Sequence, residues 1–176
     1  MTTRYVALLR AINLGATRRV SMPRLREVLT ERGYEGVRTH LASGNVLLDS
    51  ALDEAELAAD LTAAIAEEFA LDVPVIVRTA EQLADVVAAD PLGHLVTEPA
   101  RYSVSFFAEA PDPDRVAAAP PAGDGAYELR GRELYLWLPD GIQRSSTGGS
   151  KEDRLLAASG TNRNWNTVRK LVELTR

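Results

Sequence analysis

The sequence predicts an α+β fold of two ferredoxin-like (α/β-plait) domains, the first with the order βαββαβ. Three observations carry this expectation. Residues 1–79 alternate short apolar runs with amphipathic stretches in the order strand, helix, strand, strand, helix, strand, which is a split βαβ unit. The remainder reads as a second α+β unit, and 45% apolar residues in 176 are enough for packed cores. The expected domains are therefore 1–79, ferredoxin-like, and 80–176, plait-like.

Arg4–Ala11 (RYVALLRA) is apolar on both faces of a period-two pattern, which suits a central strand covered on each side. After the Ile12–Val20 loop, Ser21 is placed to cap a helix with Pro23 in its first turn and Leu25, Val28 and Leu29 as its buried stripe, ending at Gly33. Val37–Ala42 and Val46–Asp49 read as two short strands around a tight turn at Ser43-Gly44-Asn45, with Gly44 and Asn45 suited to positive φ. Asp53–Ala70 is the clearest helix, with Leu57, Leu61, Ile65 and Phe69 at fourfold spacing and acids in its first turn. Val73–Thr79 follows as a strand.

The second half is expected to open with a helix at Ala80–Asp90 and a strand at Tyr102–Ala108. A short helix at Asp112–Ala119 and a loop at Pro120–Gly125 come next. Tyr127–Leu129 and Glu133–Leu138 form a hairpin turning at Arg130-Gly131-Arg132. Two closing helices are expected, near Lys151–Ala158 and at Arg163–Thr175.

The absence of cysteine removes disulfides, thiolate nucleophiles and the usual zinc sites, and no metal is expected. No apolar run reaches the roughly 18 residues of a membrane span, and Met1–Leu9 lacks the layout of a signal peptide, so a cytoplasmic protein is expected. Charge is unevenly distributed. Residues 1–40 hold eight Lys or Arg against three acids, residues 41–125 three against sixteen, and residues 126–176 nine against six. Basic first and last segments flanking an acidic middle can present a local positive site on a repelling body, or can be scattered surface charge.

Four stretches are similar to those of one family: LLRAINLG at Leu8–Gly15, ASGNV at Ala42–Val46, LYLWLPDGI at Leu134–Ile142, and TNRNWNTVRKL at Thr161–Leu171. They resemble the bacterial family known as domain of unknown function 1697. The resemblance implies two α/β-plait domains and a family without an established activity. Ala11 and Ala16 stand where that family usually has glycines.

The last of these stretches holds three asparagines, two arginines, a lysine and a tryptophan. Wound as a helix at 100° per residue, it puts Trp165, Val168 and Val172 on one side and Arg163, Asn166, Thr167 and Lys170 on the other. Thr161 or Asn162 is then the cap, and Asn164 needs a partner of its own. The polar stripe is either solvated surface or a set of donors for an anion. The loop after the first strand adds Arg10, Asn13, Arg18 and Arg19, and the hairpin turn adds Ser43 and Asn45. Thr147–Lys151 is glycine-rich but lacks a Walker A pattern, and Ser145-Ser146 has no nucleophile-elbow setting. His40 and His94 have no metal-ligand spacing.

The functional expectation is a protein that binds a small phosphate-bearing anion in a cleft between the two domains. The ligand set would be Arg10, Asn13, Arg19, Ser43, Asn45, Arg163, Asn164, Asn166 and Lys170. RNA binding of the aromatic-platform type is disfavoured, because Val6–Leu9 and Val46–Asp49 offer no rings for bases to stack on. Two alternatives stay open: a phosphoryl or acyl-phosphate type hydrolase using Arg18 or Arg19 with Asn45, and a structural or regulatory partner protein without catalysis.

Overall fold

Five consecutive residues, Tyr5–Leu9, are buried, so the first strand is covered on both faces, as its unbroken apolar run requires. The computed structural model describes residues 1–121, 123–141 and 160–176. The chain divides into two compact units, Met1–Asp85 with Leu171–Arg176, and Val86–Lys170. The fold is mixed α+β, with two four-stranded antiparallel sheets and five α-helices among the described residues.

In the first unit β1 (Thr3–Leu9), α1 (Met22–Glu31), β2 (Glu35–His40), β3 (Asn45–Ser50), α2 (Glu54–Phe69) and β4 (Val75–Thr79) follow one another, and the sheet order is β2-β3-β1-β4. Local chemistry fixes both helix starts. Ser21 accepts from the Arg24 N–H at 3.4 Å with a proline in the first turn, and Asp53 forms a capping box with Glu56. Tyr5, Ala7 and Leu9 of β1, Val46 and Leu48 of β3, and Val75 and Val77 of β4 share one core with Leu25, Val28 and Leu29 of α1 and Leu57, Leu61, Ala64 and Ile65 of α2. Each large aliphatic side chain buried there contributes about 1.5–3 kcal/mol. The opposite face of the sheet, with Val6, Leu8, Leu47 and Ile76, is equally buried and includes Arg78 at 1% exposure.

The turn between β2 and β3 differs from the expectation in its conformers. Positive φ falls on Leu41 (62°) and Gly44 (87°), whereas Asn45 begins β3 and is fully buried. Glycine is required at 44 for a second reason: a Cβ there would lie 2.7 Å from Ile12 Cδ1 and 2.8 Å from Leu9 Cβ.

The second unit is built on β5 (Tyr102–Phe107), α4 (Pro113–Ala117), β6 (Ala126–Arg130), β7 (Glu133–Trp137) and β8 (Gly160–Asn164); α3 (Ala80–Ala89) belongs to it from Val86 and α5 (Trp165–Leu174) up to Lys170. Its sheet order, β6-β7-β5-β8, repeats that of the first sheet with every label advanced by four. Phe107, Val116, Leu134, Leu136 and Leu138 cluster together. Tyr102, Tyr135 and Trp165 form an aromatic group, with the Tyr102 and Trp165 ring centres 4.6 Å apart. The expected helix near Lys151–Ala158, the glycine-rich Thr147–Lys151 and Ser145-Ser146 lie outside the described residues. No helix among the described residues is long and apolar enough to cross a membrane.

The expected final helix is corrected at its start. Gly160–Asn164 is a strand paired antiparallel with β5, and the helix begins at Trp165. A local pattern with two asparagines and an arginine has no strong helix preference, so ladder hydrogen bonds to β5 decide its conformation. Arg163 therefore leaves the helical stripe assigned to it, while Trp165, Val168 and Val172 are buried as expected.

Two outcomes test this packing. Trp165→Ala should cost about 3–5 kcal/mol in chemical denaturation, because it opens a cavity beside Tyr102 and Tyr135; a variant as stable as the parent would refute the packing. The second concerns Asp60. The Tyr34 hydroxyl donates to it at 2.5 Å and holds its carboxyl below the usual range, while partial burial opposes this and Arg32 reinforces it. Its folded value is depressed, so the stability it contributes is present above the ordinary carboxylate pKa of about 4 and fades as pH falls through the folded value. Asp60→Asn should flatten the acid limb of the stability–pH curve, and an equally steep limb would remove this role.

Candidate functional site

The expected ligand residues fall into two sets, one in each unit. In the first unit the loop after β1 meets the β2–β3 turn at one end of the sheet. Asn13 makes the junction. Its Nδ2 donates to Val20 O at 2.9 Å and Ala42 O at 2.7 Å, and its Oδ1 accepts from Val20 N at 2.9 Å. Arg18 adds a second tie, with Nε to Ala11 O and Nη2 to Asp72 O, both 2.9 Å. Asn45 is buried, and its Nδ2 donates to His40 O at 2.7 Å and Ser43 Oγ at 3.2 Å. The two asparagines are thus engaged with protein groups. Arg10 is half-buried, and Arg19 and Ser43 are exposed.

These ties offset backbone strain. Ala11, Asn13 and Arg18 all have φ near +50°, as does Leu41 at 62° in the turn, a region costing an L-residue roughly 1–2 kcal/mol. Asparagine tolerates it best, since its short amide can bond locally.

In the second unit strand geometry sorts the TNRN residues by alternation. Thr161 and Arg163 face one way and are both 6% exposed; Asn162 and Asn164 face the other. Arg163 Nη1 donates to Thr161 Oγ1 and Asn162 O, each at 2.8 Å, and burial pushes its guanidinium down to about 10. Asn164 is a joint: its Nδ2 donates to Ala100 O at 3.0 Å, and its Oδ1 accepts from Asn166 N at 2.9 Å. Asn166 and Lys170 are exposed on α5.

Beside Asn164 the structure has a cavity of about 220 Å³ lined by Ala100, Arg101, Ser103, Leu138, Gly141, Asn162 and Asn164. Asn162 Nδ2 donates to Ser103 Oγ at 3.0 Å and to Ser105 Oγ at 2.9 Å, across the β5–β8 pair. Arg101 is exposed at the rim, 3.8 Å from Glu98, and rests against Gly141. A Cβ on Gly141 would clash with Arg101 Nη1, and Gly141 has φ 78°. Arg101 and Ser103 are not among the residues expected from the sequence, and Asn162 is expected there only as a cap. The signal was present as period-two polarity, Ser103/Ser105 on one strand and Asn162/Asn164 on the other, hidden by treating the second stretch as a helix. Among the described residues no group of three or more His, Asp or Glu is placed to hold a metal ion.

A family model described as Protein of unknown function (DUF1697) matches residues 1–135. No curated protein matches the chain. A solved structure, that of a conserved bacterial protein from Streptococcus pneumoniae, is similar over 100% of both chains, with 22% identity and a TM-score of 0.77. At that identity the likeness is one of fold alone.

Asn13→Ala should cost about 2–4 kcal/mol, since it removes three hydrogen bonds and leaves alanine in the left-handed region. A loss under about 0.5 kcal/mol in urea unfolding would show that the loop stands without it.

Proposed function

We propose that this chain, which belongs to the family described as Protein of unknown function (DUF1697), is a binding module for a small anionic ligand held in the cavity of its second unit. The wall of that cavity carries the reading. On a sheet face that otherwise packs Phe107, Leu134 and Leu136, Ser103, Asn162 and Asn164 line a space with an arginine at its rim. Polar side chains on a core-forming face cost free energy unless they have partners. Ligand pockets combine apolar walls with a few placed polar groups of this kind. Leu138 and Ala100 supply the apolar wall, and Arg101 supplies charge in a planar fork suited to a carboxylate or phosphate.

Each half of the chain, 1–79 and 80–176, is read as a ferredoxin-like plait, a boundary six residues ahead of the compact division at Asp85/Val86. The support is the shared strand order and, in the first unit, the βαββαβ sequence of elements. A cytoplasmic setting belongs to the same reading, supported by the cysteine-free sequence. For the phosphoryl or acyl-phosphate hydrolase alternative Arg19 is the exposed candidate, since Arg18 and the Asn45 amide bond to groups within the first unit.

Inorganic phosphate in excess should raise the thermal midpoint of the protein, as any ligand binding only the folded state does. That rise should vanish in Arg101→Ala. It should shrink in Gly141→Ala, where the new methyl displaces the guanidinium. A full rise in both variants would place the anion elsewhere, and no rise in the parent protein would remove the reading.

A further inference from the structure

The hydrogen-bonding capacity of the same cavity narrows the ligand further. Both N–H groups of Asn162 point at serine oxygens, Ser103 Oγ and Ser105 Oγ. Its carboxamide oxygen keeps its acceptor capacity. Ser103 accepts from Asn162, so its own proton is left to donate, and Ser103 is only half-buried where it lines the cavity. Ser105 is fully buried and does not line it. Asn164 uses one N–H on Ala100 O and its oxygen on Asn166 N, so its second N–H adds a donor to the cavity wall.

The cavity wall thus offers donors, Ser103 Oγ–H and an Asn164 N–H, and an acceptor on the diagonal neighbour, Asn162 Oδ1, on adjacent strands, with Arg101 at the rim. A bare carboxylate or the dianionic head of a phosphate monoester can accept from Ser103 but has nothing to give Asn162. An ammonium group can give but not accept. A hydroxyl group does both. Resting on the cavity reading above, we infer that the ligand is a hydroxylated anion, a short polyol phosphate or hydroxy acid, with its anionic group on Arg101 and a hydroxyl between Ser103 and Asn162. The carbon chain then lies against Leu138 and Ala100. The cavity of about 220 Å³ is smaller than the usual drug-sized pocket of roughly 300–1,000 Å³, which favours a ligand of few carbons.

Calorimetric titration of the full chain with three probes tests this: inorganic phosphate, glycerol 3-phosphate and glycerol. Glycerol 3-phosphate should bind at least about tenfold more tightly than inorganic phosphate, the expected yield of two added hydrogen bonds. Ser103→Ala should reduce that advantage to about threefold or less while phosphate still binds, which also shows that the variant is folded. Arg101→Ala should abolish binding of both phosphates. Equal affinity of the parent protein for glycerol 3-phosphate and inorganic phosphate would overturn the hydroxyl assignment and leave the anion-binding reading intact. Binding of neither phosphate would overturn both. Glycerol binding as tightly as glycerol 3-phosphate would overturn the role of Arg101 as the anion partner, and with it the hydroxylated-anion assignment.

Discussion

Backbone pairing of Gly160–Asn164 with Ser103–Phe107 is the constraint on which the second unit depends. It closes the edge of the sheet next to its first strand and imposes a two-residue repeat on a stretch otherwise free to wind as a helix. Alternation then sends Thr161 and Arg163 to one face and Asn162 and Asn164 to the other. The register is guarded by contact as well as by hydrogen bonds. Gly160 sits opposite Phe107, and a Cβ there would come within 2.7 Å of the ring. A one-residue slip would exchange the two faces and bury the asparagines where the arginine now lies.

The cavity follows from that register. Ser103 and Ser105 face Asn164 and Asn162 across the ladder, so a single carboxamide bridges both hydroxyl groups. Buried or half-buried polar groups are tolerated when paired, and this pairing lets a polar patch persist beside a hydrophobic cluster. Asn164 then passes the chain from strand to helix. It caps α5 with its oxygen and anchors to Ala100 with its nitrogen, so Trp165 starts its helix already against Tyr102.

At the end of the first sheet the physics is of another kind. Several left-handed residues crowd into the loop after β1 and the turn before β3, and a conformer costing roughly 1–2 kcal/mol per L-residue persists only if its surroundings over-determine it. Asn13 and Arg18 do this through donors aimed at backbone carbonyls. The residues that looked most like ligand contacts in the sequence are, for the asparagines, hydrogen-bonded to the protein itself. A buried or half-buried amide serves the chain before it serves a ligand.

What the sequence determined by itself is what neighbouring residues decide. Ser21 and the Asp53/Glu56 box start α1 and α2, the stripe at Leu57, Leu61 and Ile65 sets the face of α2, and the unbroken apolar run of β1 announces a strand covered on both sides. These signals act over one to four residues and can be read along the chain. Only the tertiary structure decided the rest. Asn13 finds Ala42 across 29 positions, Asn162 finds Ser103 across 59, and Asn164 finds Ala100 across 64. Whether Asn162 and Arg163 lie on a strand or a helix depends on a partner strand that the local sequence does not contain. The ladder to β5 supplies backbone hydrogen bonds that outweigh the weak preferences of a TNRN stretch.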